Sequence, residues 1–68
     1  MFLLVTGQYR KNPDPEHDLR FKCRLPQSKH LTQQDKKDIV VACTGIANLY
    51  SKYRWSFIEV SASEYEAE

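Results

Sequence analysis

The sequence contains few of the residues that build common metal and phosphate sites. Its two cysteines, Cys23 and Cys43, lie far apart, with no C-x-x-C spacing and no histidine pair at zinc-finger distance, which argues against a structural zinc site. Its two glycines, Gly7 and Gly45, are isolated, so no glycine-rich loop can hold a phosphate. No second cluster of reactive residues completes an active site. The sequence therefore predicts a protein that is not an enzyme and that binds no metal or cofactor.

Strong net charge and long hydrophobic segments are also missing. The 10 Lys and Arg residues nearly balance the 9 Asp and Glu residues, and the formal charge of +1 removes the generic argument for binding nucleic acid or anionic membranes. The apolar opening, Met1 to Val5, lacks a cationic start and is far shorter than the roughly 20 residues that span a bilayer, so it is interpreted as part of a strand. With two cysteines and no leader segment, we expect a cytoplasmic protein whose thiols are free and buried, although a disulfide between them stays open.

The most informative segment present is Leu19 to Leu25, in which apolar and cationic side chains alternate without a fault. Such alternation in an extended strand puts the apolar groups on one face and Arg20, Lys22 and Arg24 on the other. The 68 residues are enough for one small domain, residues 1–68, of a size that buries only about 60% of the surface its unfolded chain exposes. The sequence thus predicts a half-buried strand in a small domain.

The remaining elements follow from local composition. Phe2 to about Arg10 predicts a first strand, in which Gly7 marks a bulge or bend, and Lys11–Asp18, with two prolines and three acids, predicts an irregular hairpin loop. Thr32 and Asp35 predict a helix start, and the helix is expected to reach about Tyr53. A last strand is expected from Arg54 to about Ala62, central in the sheet or covered on both faces because both its faces carry apolar groups. The acidic tail, residues 63–68, is expected to extend this strand or to fray.

The predicted fold is a small α+β domain in ββαβ order, an antiparallel three-stranded sheet with one helix packed on one face. The helix carries an apolar stripe with spacings of three and four residues, formed by Ile39, Cys43, Ile46, Tyr50 and Tyr53. Gly45 falls within this helix and weakens it by roughly 1 kcal/mol relative to alanine. The stripe is expected to face the apolar side of the second strand together with Ile58 and Val60.

The candidate functional surface is the sheet face that this helix leaves uncovered. It is expected to present Arg20, Lys22 and Arg24 near Trp55 and Phe57. Arg and aromatic side chains dominate many protein interfaces, so the sequence predicts a binding protein that recognises or inhibits a larger protein by covering its working surface. Chains of this size are often accessory proteins of phages, plasmids or bacteria, which is an association with size alone. Both a monomer and a homodimer are compatible with the sequence.

Two other interpretations of these residues stay open. The same five side chains suit single-stranded RNA or DNA, because cations neutralise phosphates and each base stacked on a ring contributes roughly 1 to 3 kcal/mol. The near-neutral charge and acidic tail count against that function. The cations could equally be an ordinary solvated face, with the rings completing a small core. His17, among three acids, is interpreted as part of a solubilising turn.

Overall fold

The computed structural model describes residues 1–11, 14–27 and 30–67. Its strands are β1 (Phe2–Tyr9), β2 (Leu19–Arg24) and β3 (Tyr53–Val60), and its helices are α1 (Gln33–Thr44), α2 (Leu49–Lys52) and α3 (Ala62–Ala67). Parts of the predicted hairpin loop (12 and 13), of the segment leading to α1 (28 and 29) and of the tail (68) lie outside the described residues.

The three strands form one antiparallel sheet in the order β2-β1-β3. This confirms the predicted small α+β domain. The expectation that the last strand is central or covered on both faces is wrong, because β1 is the strand that pairs on both sides and Ile58 of β3 is 54% exposed. The hairpin puts β2 at one edge of β1, and the helical connection then brings the chain to the opposite edge, where β3 adds.

Register divides the side chains of the sheet between two faces. Leu3 lies opposite Cys23 and Glu59, and Val5 lies opposite Phe21 and Phe57. Side chains of directly opposed residues share a face, and alternate residues along a strand point to opposite faces. We call the face of Leu3 and Val5 the closed face and the other face, which contains Leu4, the open face.

Helix α1 packs over the closed face. Leu3, Val5 and Val40 are the buried hydrophobic residues of the described chain, with exposures of 2%, 0% and 0%. The ammonium of Lys36 lies 5.6 Å from the ring centre of Phe57, which ties the first turns of α1 to β3. The core therefore lies between α1 and the centre of the sheet.

The structure corrects two of the expected helix partners. Ile58 and Val60 lie on the open face, and Ile58 is 54% exposed. Both faces of β3 carry apolar residues, so the sequence of that strand does not by itself show which face is buried. Pairing with β1 selects it, because Phe57 is opposite Val5.

The start of α1 is confirmed, but its predicted end is wrong. The Asp35 amide donates to Thr32 Oγ1 and the Thr32 amide donates to Asp35 Oδ2, each at 3.1 Å, so the two residues form a capping box. The helix stops at Gly45, which has a φ of 75° and donates its amide to the Val41 carbonyl at 2.8 Å. Glycine adopts this left-handed conformation without steric cost and commonly terminates helices. Gly45 therefore ends the helix instead of weakening its middle.

Two short elements replace irregular segments of the prediction. The tail forms α3 instead of extending β3 or fraying, and its Tyr65 ring packs 4.8 Å from the ring of Phe2. Within the predicted hairpin loop, Pro15–His17 form one 3-10 turn, and the Asp14 carboxylate accepts from the amide of Glu16 at the start of this turn. Both elements lie beside β1.

Gly7 leaves space for an aromatic ring and does not form the predicted bulge. The pairing of β1 continues through Gly7, which lies opposite Leu19 and Trp55. A Cβ atom added to Gly7 would lie 2.5 Å from the Trp55 ring. The absence of a side chain therefore allows Trp55 to lie flat against the centre of the sheet.

Replacing Gly7 with alanine tests whether the Trp55 ring requires a glycine at this position. Gly7→Ala should lower the free energy of unfolding by about 1 to 3 kcal/mol, because the added methyl group overpacks the sheet against Trp55. Urea unfolding followed by circular dichroism measures the change. In a Trp55→Leu background the same substitution should cost less, since the large ring is gone. An equal cost in both backgrounds would show that the ring does not set the need for glycine.

Candidate partner-binding surface

The structure separates the five predicted site residues into two groups. Arg20, Lys22 and Arg24 lie opposite Thr6, Leu4 and Phe2, on the open face. Trp55 and Phe57 lie opposite Gly7 and Val5, on the closed face. The expectation that the cations and these two rings form one surface is therefore wrong, because the parity of β3 relative to β1 turns both rings toward α1.

Trp55 and Phe57 have structural partners on the closed face. Trp55 Nε1 donates to the Tyr50 carbonyl at 3.0 Å, and its ring lies 6.0 Å from that of Phe21. Phe57 lies beneath the Lys36 ammonium. Both rings are partly exposed and extend the small core toward the β3 edge.

The open face combines cations with apolar groups. The Arg24 guanidinium lies 5.6 Å from the Phe2 ring centre, and the Lys22 ammonium lies 5.4 Å from that of Tyr65. Such contacts hold the cationic groups against apolar surface and contribute roughly 0.5 to 1 kcal/mol each at exposed sites. Arg20 is exposed at the other end of β2.

Every charged residue that the strands place on the open face is a cation. Pairing with Gln8 puts Arg54 of β3 on this face as well, so cations lie on both edge strands. Leu4 and Ile58 are directly opposed and lie between these cations. The result is an apolar centre with a basic border, and the Tyr65 ring of α3 covers this face beside Phe2 and Lys22.

Sequence analysis missed the apolar half of this surface. Leu4 and Ile58 were not candidates, although pairing the hairpin through Leu4 and Lys22 would have put Leu4 among the cations. The position of Ile58 required the register of β3, which crosses a long connection. The contact of Tyr65 with Phe2 and Lys22 required the fold of the tail, for which the sequence carries no clear signal.

A second surface joins Trp55 and Phe57 to Arg10, Lys36 and Arg54, of which Arg54 also borders the open face. A shallow hollow of about 260 Å³ lies beside α1, α2 and the start of β3, and we call it the α1–β3 hollow. Its lining combines three cations, four aromatic residues and one glutamine: Arg10, Lys36, Arg54, Tyr50, Tyr53, Trp55, Phe57 and Gln33. The Tyr50 hydroxyl donates to Gln33 Oε1 at 2.6 Å across this hollow. The hollow is thus basic and aromatic, with no carboxylate in its lining.

Both cysteines are free thiols in the structure. Cys23 is partly buried and Cys43 is exposed, so the prediction of two buried thiols is wrong for Cys43. Burial raises the pKa of Cys23, and the neighbouring Cys43 raises it further. Although Cys43 is exposed as a residue, the protein atoms around its thiol remove some water and raise its pKa as well. Raised pKa values keep both thiols protonated and make them poor nucleophiles at neutral pH.

Other classes of site receive no support from the part of the chain that the structure describes. No cluster of three or more His, Cys, Asp or Glu side chains is arranged to hold a metal ion within residues 1–11, 14–27 and 30–67. Over the same ranges, no helix combines the length and apolar character needed to cross a bilayer. His17 instead lies against Tyr9, with its ring 6.4 Å away, and its Nδ1 is 3.9 Å from Asp14 Oδ2.

The fold and the open face define a small α+β domain with a basic sheet face that α3 covers in part. Comparison with protein-family models, curated proteins and solved structures finds no match to this chain.

The cysteine pKa values predict a pH dependence of stability. Because the folded-state pKa of Cys23 is raised, the folded chain binds the thiol proton more tightly than the unfolded chain does. This contribution is complete below the ordinary thiol pKa of about 8.5 and is lost as pH rises above it. Urea unfolding from about pH 7 to about pH 9.5 should show a larger loss of stability for the wild type than for Cys23→Ser. If wild type and Cys23→Ser lose the same stability over this range, folding does not raise the pKa of Cys23.

Proposed function

We propose that this protein is a small binding protein that docks its open face on a larger protein. The observation that carries the proposal is the arrangement of Arg20, Lys22, Arg24 and Arg54 around the apolar pair formed by Leu4 and Ile58. A complementary partner surface has an apolar centre and an acidic border. Charge complementarity of this kind steers association and excludes basic partners.

Apolar contact at the centre of the open face would contribute to the binding free energy. Ile58 is 54% exposed, so burying its exposed part contributes roughly half of the 1.5 to 3 kcal/mol gained by fully burying a side chain of its type. Arg24 already lies against Phe2, so less side-chain freedom is lost when it contacts a carboxylate. Arginine is also among the residues that most often dominate interface energetics. A modest number of contacts around Ile58 and Arg24 would therefore carry most of the binding energy.

The proposed mechanism is occlusion, without catalysis or a cofactor. The core beneath β1 holds the open face in place, and the docked domain blocks access to the partner's surface. Trp55 and Phe57 support the sheet from behind and do not touch the partner in this proposal. We also propose a reducing, cytoplasmic location, which the two free thiols support.

An acidic probe peptide tests the docking surface. The probe is a synthetic helical peptide with glutamates on both sides of a leucine stripe, added to isotope-labelled protein and followed by amide chemical shifts. Shifts should concentrate at Leu4, Lys22 and Ile58. The same peptide with lysines in place of glutamates should cause none of them, because it would bring like charges together.

A matched pair of charge reversals provides the control. Arg24→Glu should weaken peptide binding by about tenfold, equivalent to about 1.4 kcal/mol, whereas Lys37→Glu, on an exposed position of α1, should change it little. Equal weakening by both variants would reduce the effect to net charge and contradict docking on the open face. Shifts that map to α1 would contradict it as well.

A second candidate function is binding of single-stranded nucleic acid in the α1–β3 hollow. The observation that favours it is that Arg10, Lys36 and Arg54 line the hollow beside Trp55, because cations and aromatic rings together bind phosphates and stacked bases. The near-neutral total charge still counts against it.

Trp55 fluorescence separates this function from docking on a protein. If single strands bind in the hollow, mixed-sequence RNA or DNA should quench Trp55 at low salt, and the effect should weaken steeply at moderate salt as counterions compete. Lys36→Glu should reduce quenching far more than Lys37→Glu, since only Lys36 lines the hollow. An unchanged fluorescence at low salt would exclude binding next to Trp55.

A further inference from the structure

The sheet has two edges, and its hydrogen-bond pattern shows which backbone groups each edge exposes. The Arg10 amide donates to the Lys52 carbonyl at 3.2 Å, just beyond the opposed residues Tyr9 and Tyr53. In an antiparallel ladder, hydrogen-bonded and non-hydrogen-bonded pairs alternate, so Tyr9 and Tyr53 form a non-hydrogen-bonded pair. The amide and carbonyl of Tyr53 therefore point away from β1.

The same alternation continues along β3. Trp55, Phe57 and Glu59 share the parity of Tyr53, so their amides and carbonyls also point outward from the sheet. Among the residues that the structure describes, no further backbone hydrogen bond engages the outward amides and carbonyls of Trp55, Phe57 and Glu59. Over its eight residues β3 pairs with β1 without a bulge or a proline, the features that commonly protect an edge strand.

The edge of β2 is different because its own charges protect it. Met1 and Leu25 exchange both backbone hydrogen bonds, which fixes the alternation on that side. The outward amides and carbonyls of β2 then belong to its three cationic residues. Any antiparallel pairing of β2 with a second copy would put these cations opposite one another, which is destabilising.

Strand β3 lacks this protection. Its central residues, Trp55 to Ile58, are uncharged, and its two charged residues, Arg54 and Glu59, have opposite signs and lie near its two ends. In the antiparallel registers that pair three or all four of the outward-facing residues of β3, no two like charges are directly opposed. The charge distribution thus permits a second copy at β3 and opposes one at β2.

We propose that two copies of this chain pair through β3 to form a continuous six-stranded antiparallel sheet. The proposed register is centred on Ser56, because this register pairs all the outward-facing residues of β3. Trp55 then lies opposite Phe57 of the second copy on the closed face. On the open face, Arg54 lies opposite Ile58 of the second copy.

This dimer is expected to be weak and concentration-dependent. One pair of short strands buries less surface than a stable protein interface requires, so its dissociation constant falls between about 10 μM and about 1 mM. The two β2 strands become the outer edges of the assembled sheet, where their cations oppose further growth. Pairing therefore stops at two copies.

A proline substitution tests the backbone pairing. Glu59→Pro removes an amide that β1 does not use and replaces an exposed side chain, so the monomer should keep its fold, whereas the dimer loses hydrogen bonds. Glu59→Ala removes the same charge and keeps the amide. Sedimentation equilibrium from about 10 μM to about 1 mM should show wild type and Glu59→Ala as dimers at the upper end, and Glu59→Pro as a monomer with unchanged circular dichroism.

Charge substitutions at Ile58 test the register without removing an amide. Opposite Arg54 of the second copy, Ile58→Lys should raise the dimer dissociation constant and Ile58→Glu should lower it, by about threefold or more in each direction. A wild type that stays monomeric throughout the concentration range overturns the proposal. It is also overturned if Glu59→Pro dimerises like Glu59→Ala, or if the two Ile58 variants have equal dissociation constants.

The dimer does not depend on the proposed docking function. Pairing uses the β3 edge, whereas docking uses the open face. Arg24→Glu should therefore weaken binding of the acidic peptide without changing the dimer, and Glu59→Pro should abolish the dimer while a monomer still binds the peptide.

Discussion

The burial of Leu3 and Val5 beneath α1 is the interaction on which the other features of this domain depend. Together with Val40 they are the buried hydrophobic residues of the part of the chain that the structure describes. A chain of this size has little apolar surface to bury, so its stability depends on a small cluster. Partly exposed rings, including Trp55 above Gly7, enlarge that cluster from the side.

Covering one face of the sheet determines the character of the other. With α1 on the closed face, the open face keeps its cations and the exposed Ile58, and α3 contacts it through Tyr65. The same arrangement exposes two edges of unequal charge. Binding to a partner through the face and to a second copy through the β3 edge are therefore separate consequences of one asymmetric sheet.

The sequence was most informative where a pattern was local. The alternation in β2 located both the strand and its cationic side, and Thr32 with Asp35 located the start of α1. It was least informative where the answer depended on distant pairing. Both alternating sets of β3 contain apolar residues, so only the register with β1 shows that Phe57 is inside and Ile58 outside. The apolar stripe that continued past Gly45 concealed the end of the helix, which depends on the left-handed backbone of that glycine.

The most direct test of this account is the set of nuclear Overhauser effects from the methyl groups of Val40. The account predicts contacts from Val40 to the methyl groups of Leu3 and Val5, and none from α1 to Leu4 or Ile58. Contacts from Val40 to Leu4 or Ile58 would place the helix on the opposite face of the sheet. That result would contradict the assignment of the closed and open faces and both interactions inferred from it.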